Sequence, residues 1–139
     1  MANNEAVSLK ALLVPSKNVE VEYPGCPDFL VKLGFISRES LINLRKRSTK
    51  TQFKGRQTSE EFNEDLFLEL YCEAAILDWK GLKFKYVNQL VPVDVSKFDP
   101  EDELGYSKDN ALMLMKNSSD FDNFISGYVN DLGNFNKSS

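Results

Sequence analysis

Histidine is absent from the 139 residues, and cysteine occurs only twice. The first absence removes the commonest general base and the commonest zinc ligand together. Cys26 sits in a Tyr23-Pro24-Gly25-Cys26-Pro27 turn and Cys72 inside a helical pattern, so the pair has no metal spacing, and no disulfide is expected. No nucleophile elbow, phosphate loop, Cys-x-x-Cys pair or dinucleotide fingerprint occurs either. What remains is carboxylates, lysines and tyrosines in no catalytic constellation, so the expectation is a protein that is not an enzyme and takes no metal, cofactor or small-molecule substrate. Long apolar runs are also missing: Ala74 to Leu77 is far too short to span a bilayer. The opening MANNEAVSLK lacks the basic start, apolar middle and cleavage site of a secretory signal, which predicts an intracellular protein without a membrane partner. Finally, no acid occurs from Ser40 to Ser59, where Arg45, Lys46, Arg47, Lys50, Lys54 and Arg56 are concentrated, while carboxylates crowd Glu60 to Asp65 and Asp99 to Glu103. A net charge of −4 thus conceals a dipole along the chain, suited to internal pairing or to a partner of matching sign.

The chain does have a core to build. A hydrophobic content of 42% with 12% aromatics is too high for a disordered protein, and the length suits one domain over 1–139. The pattern predicts an α+β fold. Val7, Leu9, Ala11 and Leu13 alternate with Ser8, Lys10 and Leu12; Val19, Val21 and Tyr23 alternate with Asn18, Glu20 and Glu22; Phe29, Val31, Leu33 and Phe35 repeat the period. Turn residues at Pro15 to Asn18 and at Pro24, Gly25 and Pro27 make these an antiparallel three-stranded meander over 7–36. A mainly helical part follows over 37–132. Ser37 caps a helix from Arg38 to about Ser48 with Leu41 and Leu44 inward, and Thr49 to Gln57 reads as a polar, basic connector.

Thr58 to Gly81 then reads as one long central helix, capped by Thr58 or Ser59 and stopped by Gly81, with no properly polar side. Phe62, Leu66, Leu70, Ala74 and Leu77 fill one flank, and Phe67, Leu68, Tyr71, Cys72, Ala75, Ile76 and Trp79 cover most of the rest. Such a helix is either central to the core or covered by another chain, which points to binding. Leu82 to Val91 fits a strand or a short helix equally, and Pro92 to Tyr106 is an acidic loop. Two short helices close the chain, one capped by Ser107 and one by Ser118 or Ser119. The second carries Phe121, Phe124, Ile125, Tyr128, Val129 and Leu132 as a one-sided stripe, and 133–139 reads as a flexible tail after Gly133.

Three features bear on function. Glu61, Asp65, Glu69 and Glu73 are spaced by four along the predicted helix and form an acidic stripe. A solvated face is its plainest reading, then pairing with the chain's own basic run, then a basic partner. The basic run has only Phe53 beside it and belongs to a chain of pI about 4.9, so a solvated or protein-contacting surface is the better reading than nucleic-acid binding. Trp79 is first a core anchor and only second a ligand stacker.

The order of segments resembles the tail assembly chaperones of long-tailed, siphovirus-type bacteriophages. The resemblance rests on Ile76-Leu77-Asp78-Trp79-Lys80-Gly81-Leu82, on a turn with Pro92, on Tyr106 through Leu114, and on Phe121 through Asn134-Phe135. It extends upstream to Val14-Pro15-Ser16-Lys17, Glu22-Tyr23-Pro24-Gly25 and Ile36-Ser37-Arg38-Glu39-Ser40-Leu41. Members of that family bind the tape measure protein, keep it soluble and help recruit tail tube protein, and they leave before the virion is finished. The resemblance therefore implies work in the host cytoplasm, absence from the mature virion, and the tape measure and tail tube proteins as partners; a longer frameshifted form is implied by resemblance alone. From the residues themselves, part of the Phe62 to Trp79 helix or the Phe121 to Leu132 stripe is expected to form a self-association surface that a client can replace, which allows a homo-oligomer. The protein-binding residues expected on this reading are Phe62, Leu66, Glu69, Glu73 and Trp79 of the long helix and Phe121, Phe124, Ile125 and Tyr128 of the last one. A structural tail component retained in the virion is the rival reading, and a small nucleic-acid-binding regulator a weaker one.

Overall fold

A computed structural model describes residues 6–14 and 17–136. The fold is α+β with antiparallel sheets. Its centre is β2 (Leu30–Gly34), whose Val31 and Leu33 are fully buried. On one side β2 pairs with β1 (Asn18–Glu22), Asn18 standing opposite Gly34 and Glu22 opposite Leu30. The intervening turn follows its residues: Pro24 and Gly25 occupy the middle of a type II turn, with Gly25 at φ +81° and the Cys26 N–H donating to the Tyr23 carbonyl at 3.2 Å.

The third strand is not the expected one. Leu9–Leu12 forms a single helical turn, α1, with no buried side chain, and the other edge of β2 is taken by β5 (Ile76–Lys80), Val31 facing Trp79. The alternation over 7–13 was imperfect: Leu12 breaks it, and Leu9, Leu12 and Leu13 fall at helical spacing instead. Of the Pro15 to Asn18 connection read as a hairpin turn, Pro15 and Ser16 lie outside the described residues and Asn18 begins β1.

The long central helix is likewise replaced by three elements. After α2 (Arg38–Arg47), the basic connector and the first part of the predicted helix pair as a hairpin, β3 (Thr49–Lys54) with β4 (Gln57–Phe62). Gly55 at φ +64°, followed by Arg56 at negative φ, makes the two-residue link that suits a right-twisted ribbon, with glycine in the first central position. Helix α3 (Glu64–Ala75) begins only after it, capped by Asn63, whose Oδ1 accepts from the Leu66 N–H at 3.0 Å, rather than by Thr58 or Ser59. It passes directly into β5 at Ile76 (φ −112°, ψ 109°). The open edge of β2 draws those residues out of the helix, and Gly34 lets the junction press close: a Cβ there would sit 2.6 Å from the Ala74 carbonyl oxygen.

The remaining elements follow the sequence more closely. The ambiguous 82–91 segment contains helix α4 (Phe84–Leu90), and α5 (Lys108–Asn117) and α6 (Ser119–Val129) follow the acidic loop. Ser37, Ser107 and Ser118 each accept from the backbone N–H three residues on, capping α2, α5 and α6. Helices α3 and α6 pack on β2, and α5 packs on both. Phe29, Leu82, Phe121, Ile125 and Val129 are fully buried between these layers. The loop is tied down by chemistry its charges did not reveal: Lys83 and Lys85 bracket Glu101 at 2.9 and 2.7 Å, and the Trp79 indole N–H donates to the Leu104 carbonyl at 3.0 Å. Gly133–Asn136 forms a last turn, α7, in the segment read as tail. Its Phe135 is buried against Phe35 and Tyr128, at ring distances of 5.5 and 5.9 Å. Residues 137–139 lie outside the described part.

Candidate protein-binding surfaces

The structure scatters the residues that the pattern assembled into two binding faces. Trp79, Phe121 and Ile125 belong to this chain's own core and offer a partner no surface. Trp79 packs edge-on against Phe29 and Tyr106, and Phe121 stacks on Tyr23 at 5.7 Å. Phe124 and Tyr128 are half-buried on the flank of α6, and Leu66 is half-buried on α3. Phe62 ends β4, 41% exposed, with its ring 5.6 Å from Phe67. Glu69 is exposed, and Glu73 lies 3.9 Å from the Lys108 ammonium. Glu61 leaves the acidic stripe for β4, where it accepts from the Gln52 side chain at 2.8 Å.

The apolar surface lies elsewhere, in a segment read as a strand. Val7, Leu9, Leu12, Leu13 and Val14 are each between 61% and 72% exposed, a density of exposed aliphatics not matched elsewhere among the described residues. Leu12, Leu13 and Val14 line a groove of about 760 Å³ between α1 and α2, together with Phe35, Ile42 and Leu132 and with the charged Lys17, Glu39 and Lys46. Lys17 donates from its ammonium to the Asn136 side chain across the end of the groove. Ser37, Ser40, Asn43 and Asn136 line it as well, so the trough is of mixed apolar and polar character, as suits an amphipathic helix. Nothing in the sequence pattern marked it beyond Leu12 breaking the alternation.

The basic run forms a second surface. Arg45, Lys46 and Arg47 close α2, and Lys50, Lys54 and Arg56 continue along the hairpin to its tip. Arg45 lies over the Phe67 ring at 5.3 Å, and no ion pair among the described residues uses any of the six. At the hairpin's base Arg47 and Lys50 meet Glu61, Glu64 and Asp65 around a cleft of about 720 Å³.

Neither thiol suits chemistry. Both cysteines are free and buried; burial raises Cys26, and burial followed by the nearby Asp122 carboxylate pushes Cys72 up to about 12, so both stay protonated and inert at neutral pH. No cluster of three metal-ligating side chains occurs among the described residues, and no helix there is long and apolar enough to cross a membrane.

Residues 37–139, from the α2 cap to the end, match the model of the YdaY prophage protein family. The chain belongs to that family. This makes it a phage-derived protein, and the match takes in the hairpin, α3, β5 and all the later helices, while β1, β2 and the exposed aliphatic segment precede it. No curated protein and no solved structure matches the YdaY-family chain.

Proposed function

We propose that this YdaY-family chain is a phage tail assembly chaperone. In the host cytoplasm it binds the tape measure protein, keeps that long apolar helical client soluble and helps recruit tail tube subunits. It acts by binding alone and leaves before the virion is complete. Its phage origin supports the setting, and the observation that carries the reading is the aliphatic segment from Val7 to Val14 beside the Phe35, Ile42 and Leu132 groove. Leu9, Leu12 and Leu13 follow the i, i+3, i+4 spacing by which one helix packs on another, and no described part of this chain covers them. Surface of this kind has a solubility cost that a client removes.

The test is co-expression with the tape measure protein of the same phage. The client is expected to stay soluble and co-elute with the chain, and to aggregate when Leu9, Leu12 and Leu13 are all changed to Ser. A client that aggregates beside the unaltered chain refutes the proposal. Recovery of the chain at stoichiometric levels in purified virions, by mass spectrometry, would replace it with the retained tail component.

A further inference from the structure

The β3–β4 hairpin stands outside the three-stranded sheet, and its strands pair only with each other among the described residues. Of its residues only Thr49 and Gln52 are even half-buried, and Phe53, near the tip, is 76% exposed. A two-stranded ribbon in water is marginally stable and carries two unpaired edges. The Asn63 N–H donates to the Ser48 carbonyl at 2.8 Å, which sets the rows bonded within the ribbon at alternate positions: Lys50 with Glu61, Gln52 with Ser59, Lys54 with Gln57. The N–H and C=O groups of Thr51 and Phe53 on β3, and of Thr58 and Glu60 on β4, therefore point outward.

The two edges differ in charge. β3 carries Lys50 and Lys54 and no acid; β4 carries Glu60 and Glu61 and no base. Two β3 edges repel each other, as do two β4 edges, so the charges that blunt indiscriminate pairing leave one combination favourable. We infer that the hairpin is an assembly edge on which a second copy of this chain adds, its β4 antiparallel to β3 of the first. In the register already present inside the hairpin, Lys50 of one copy meets Glu61 of the next, and the exposed Phe53 gains a threonine neighbour, Thr58. The contact joins unlike surfaces, so each added copy presents a fresh β3 or β4, and the assembly closes as a ring or grows as a filament. A polyanion is the other occupant the lysines suggest. Glu60 and Glu61 on the ribbon and Glu64 and Asp65 at its base oppose it. This inference does not depend on the Val7 to Val14 surface, and either can fail alone.

Sedimentation velocity of the full chain over a range of concentrations tests it. The wild type self-associates. Lys50→Glu and Glu61→Lys, each alone, weaken association about fivefold. Both also place like charges across their own hairpin, so the decisive sample is their equimolar mixture. There every contact between one variant and the other sets a carboxylate against an ammonium at these two positions. The mixture associates about as tightly as wild type, although neither hairpin has regained its internal pair. Thr51→Pro, which removes an outward N–H and leaves the internal ladder intact, abolishes association with helix content retained. A wild type that stays monomeric, a mixture no stronger than its components, or a monomer whose lysines instead give salt-dependent retention of duplex DNA or RNA overturns the inference.

Discussion

Replacing Gly81 with alanine is expected to destabilise the chain by about 2–5 kcal/mol, a large part of the ~5–15 kcal/mol that holds a domain of this size. Two terms make up the figure. Gly81 has φ +78°, a left-handed conformation that costs a residue with a Cβ about 1–2 kcal/mol. The Cβ itself would also fall inside the Asp28 carbonyl oxygen, 2.8 Å from the carbonyl carbon and 3.3 Å from Phe29 Cα. All three atoms are backbone, so no side chain can rotate away, and an overlap of this kind adds about 1–3 kcal/mol. The turn that would have to shift carries the fully buried Phe29 and the Pro27 carbonyl that accepts from the Tyr86 hydroxyl at 2.9 Å. Urea unfolding followed by the fluorescence of Trp79, the single tryptophan and two residues away, measures the loss. Gly127→Ala is the control. It lies on α6 with open space around the added Cβ and is expected to gain about 0.5–1 kcal/mol. A Gly81→Ala change below about 0.5 kcal/mol would refute the close approach of the two turns.

Phe135→Ala should cost about 3 kcal/mol in the same assay, because the ring is buried against Phe35 and Tyr128; a neutral result would return that segment to a loose tail. Stability should fall as pH rises above about 9, since the Cys72 thiol is held protonated up to about 12 in the folded chain while the unfolded thiol ionises at its ordinary 9.0. The contribution is fully present below the unfolded value and is lost toward the folded one; burial raises Tyr71 and Tyr23 as well, with the same sign. A urea midpoint unchanged between about pH 8 and pH 10.5, or native Cys72 alkylated as fast as the unfolded thiol, would contradict this.

What the sequence disclosed was local chemistry. Ser37, Ser107 and Ser118 announce three helices because a hydroxyl three residues before an unpaired N–H is a short-range event. β1 and β2 show their period because each has one face on the core. The region from Thr58 to Gly81 failed for the opposite reason. From Leu66 to Trp79 eleven of fourteen positions are apolar, so periods of 2 and 3.6 fit equally there, and the outcome rests on an edge of β2 more than forty residues away in sequence. Small polar residues followed by acids occur at Thr58, Ser59 and Asn63 alike, and only Asn63 stands where a hairpin has just ended. Gly55-Arg56 between two six-residue polar stretches was a legible turn signal, obscured by the helical pattern laid over its second half. Phe135 went unmarked because one aromatic in a polar stretch has no period.

Dividing that helix also changes the basis of the functional reading. A helix apolar on all sides must be central to the core or covered by an outside partner; a strand, a helix and a strand with the same residues need no such partner, because Ile76 and Trp79 are satisfied by β2 and the acidic loop. Of the nine residues expected at a binding face, Trp79, Phe121 and Ile125 are spent on this chain's own core. The need for a partner passes instead to Val7 through Val14, where side chains of the same chemistry stand uncovered, and to the hairpin, where backbone groups do. These two demands differ in kind. Aliphatic side chains on a helical turn accept any apolar helix of adequate length, which suits an extended client, whereas an open strand edge with segregated charge accepts one partner in one direction. A chain that gathers many copies along a long client needs both: one surface that tolerates varied sequence and another that fixes the spacing between neighbours. Loss of the Leu9, Leu12 and Leu13 surface should therefore abolish client solubility with self-association intact. Thr51→Pro should do the reverse, leaving single copies able to bind but not to cover the client.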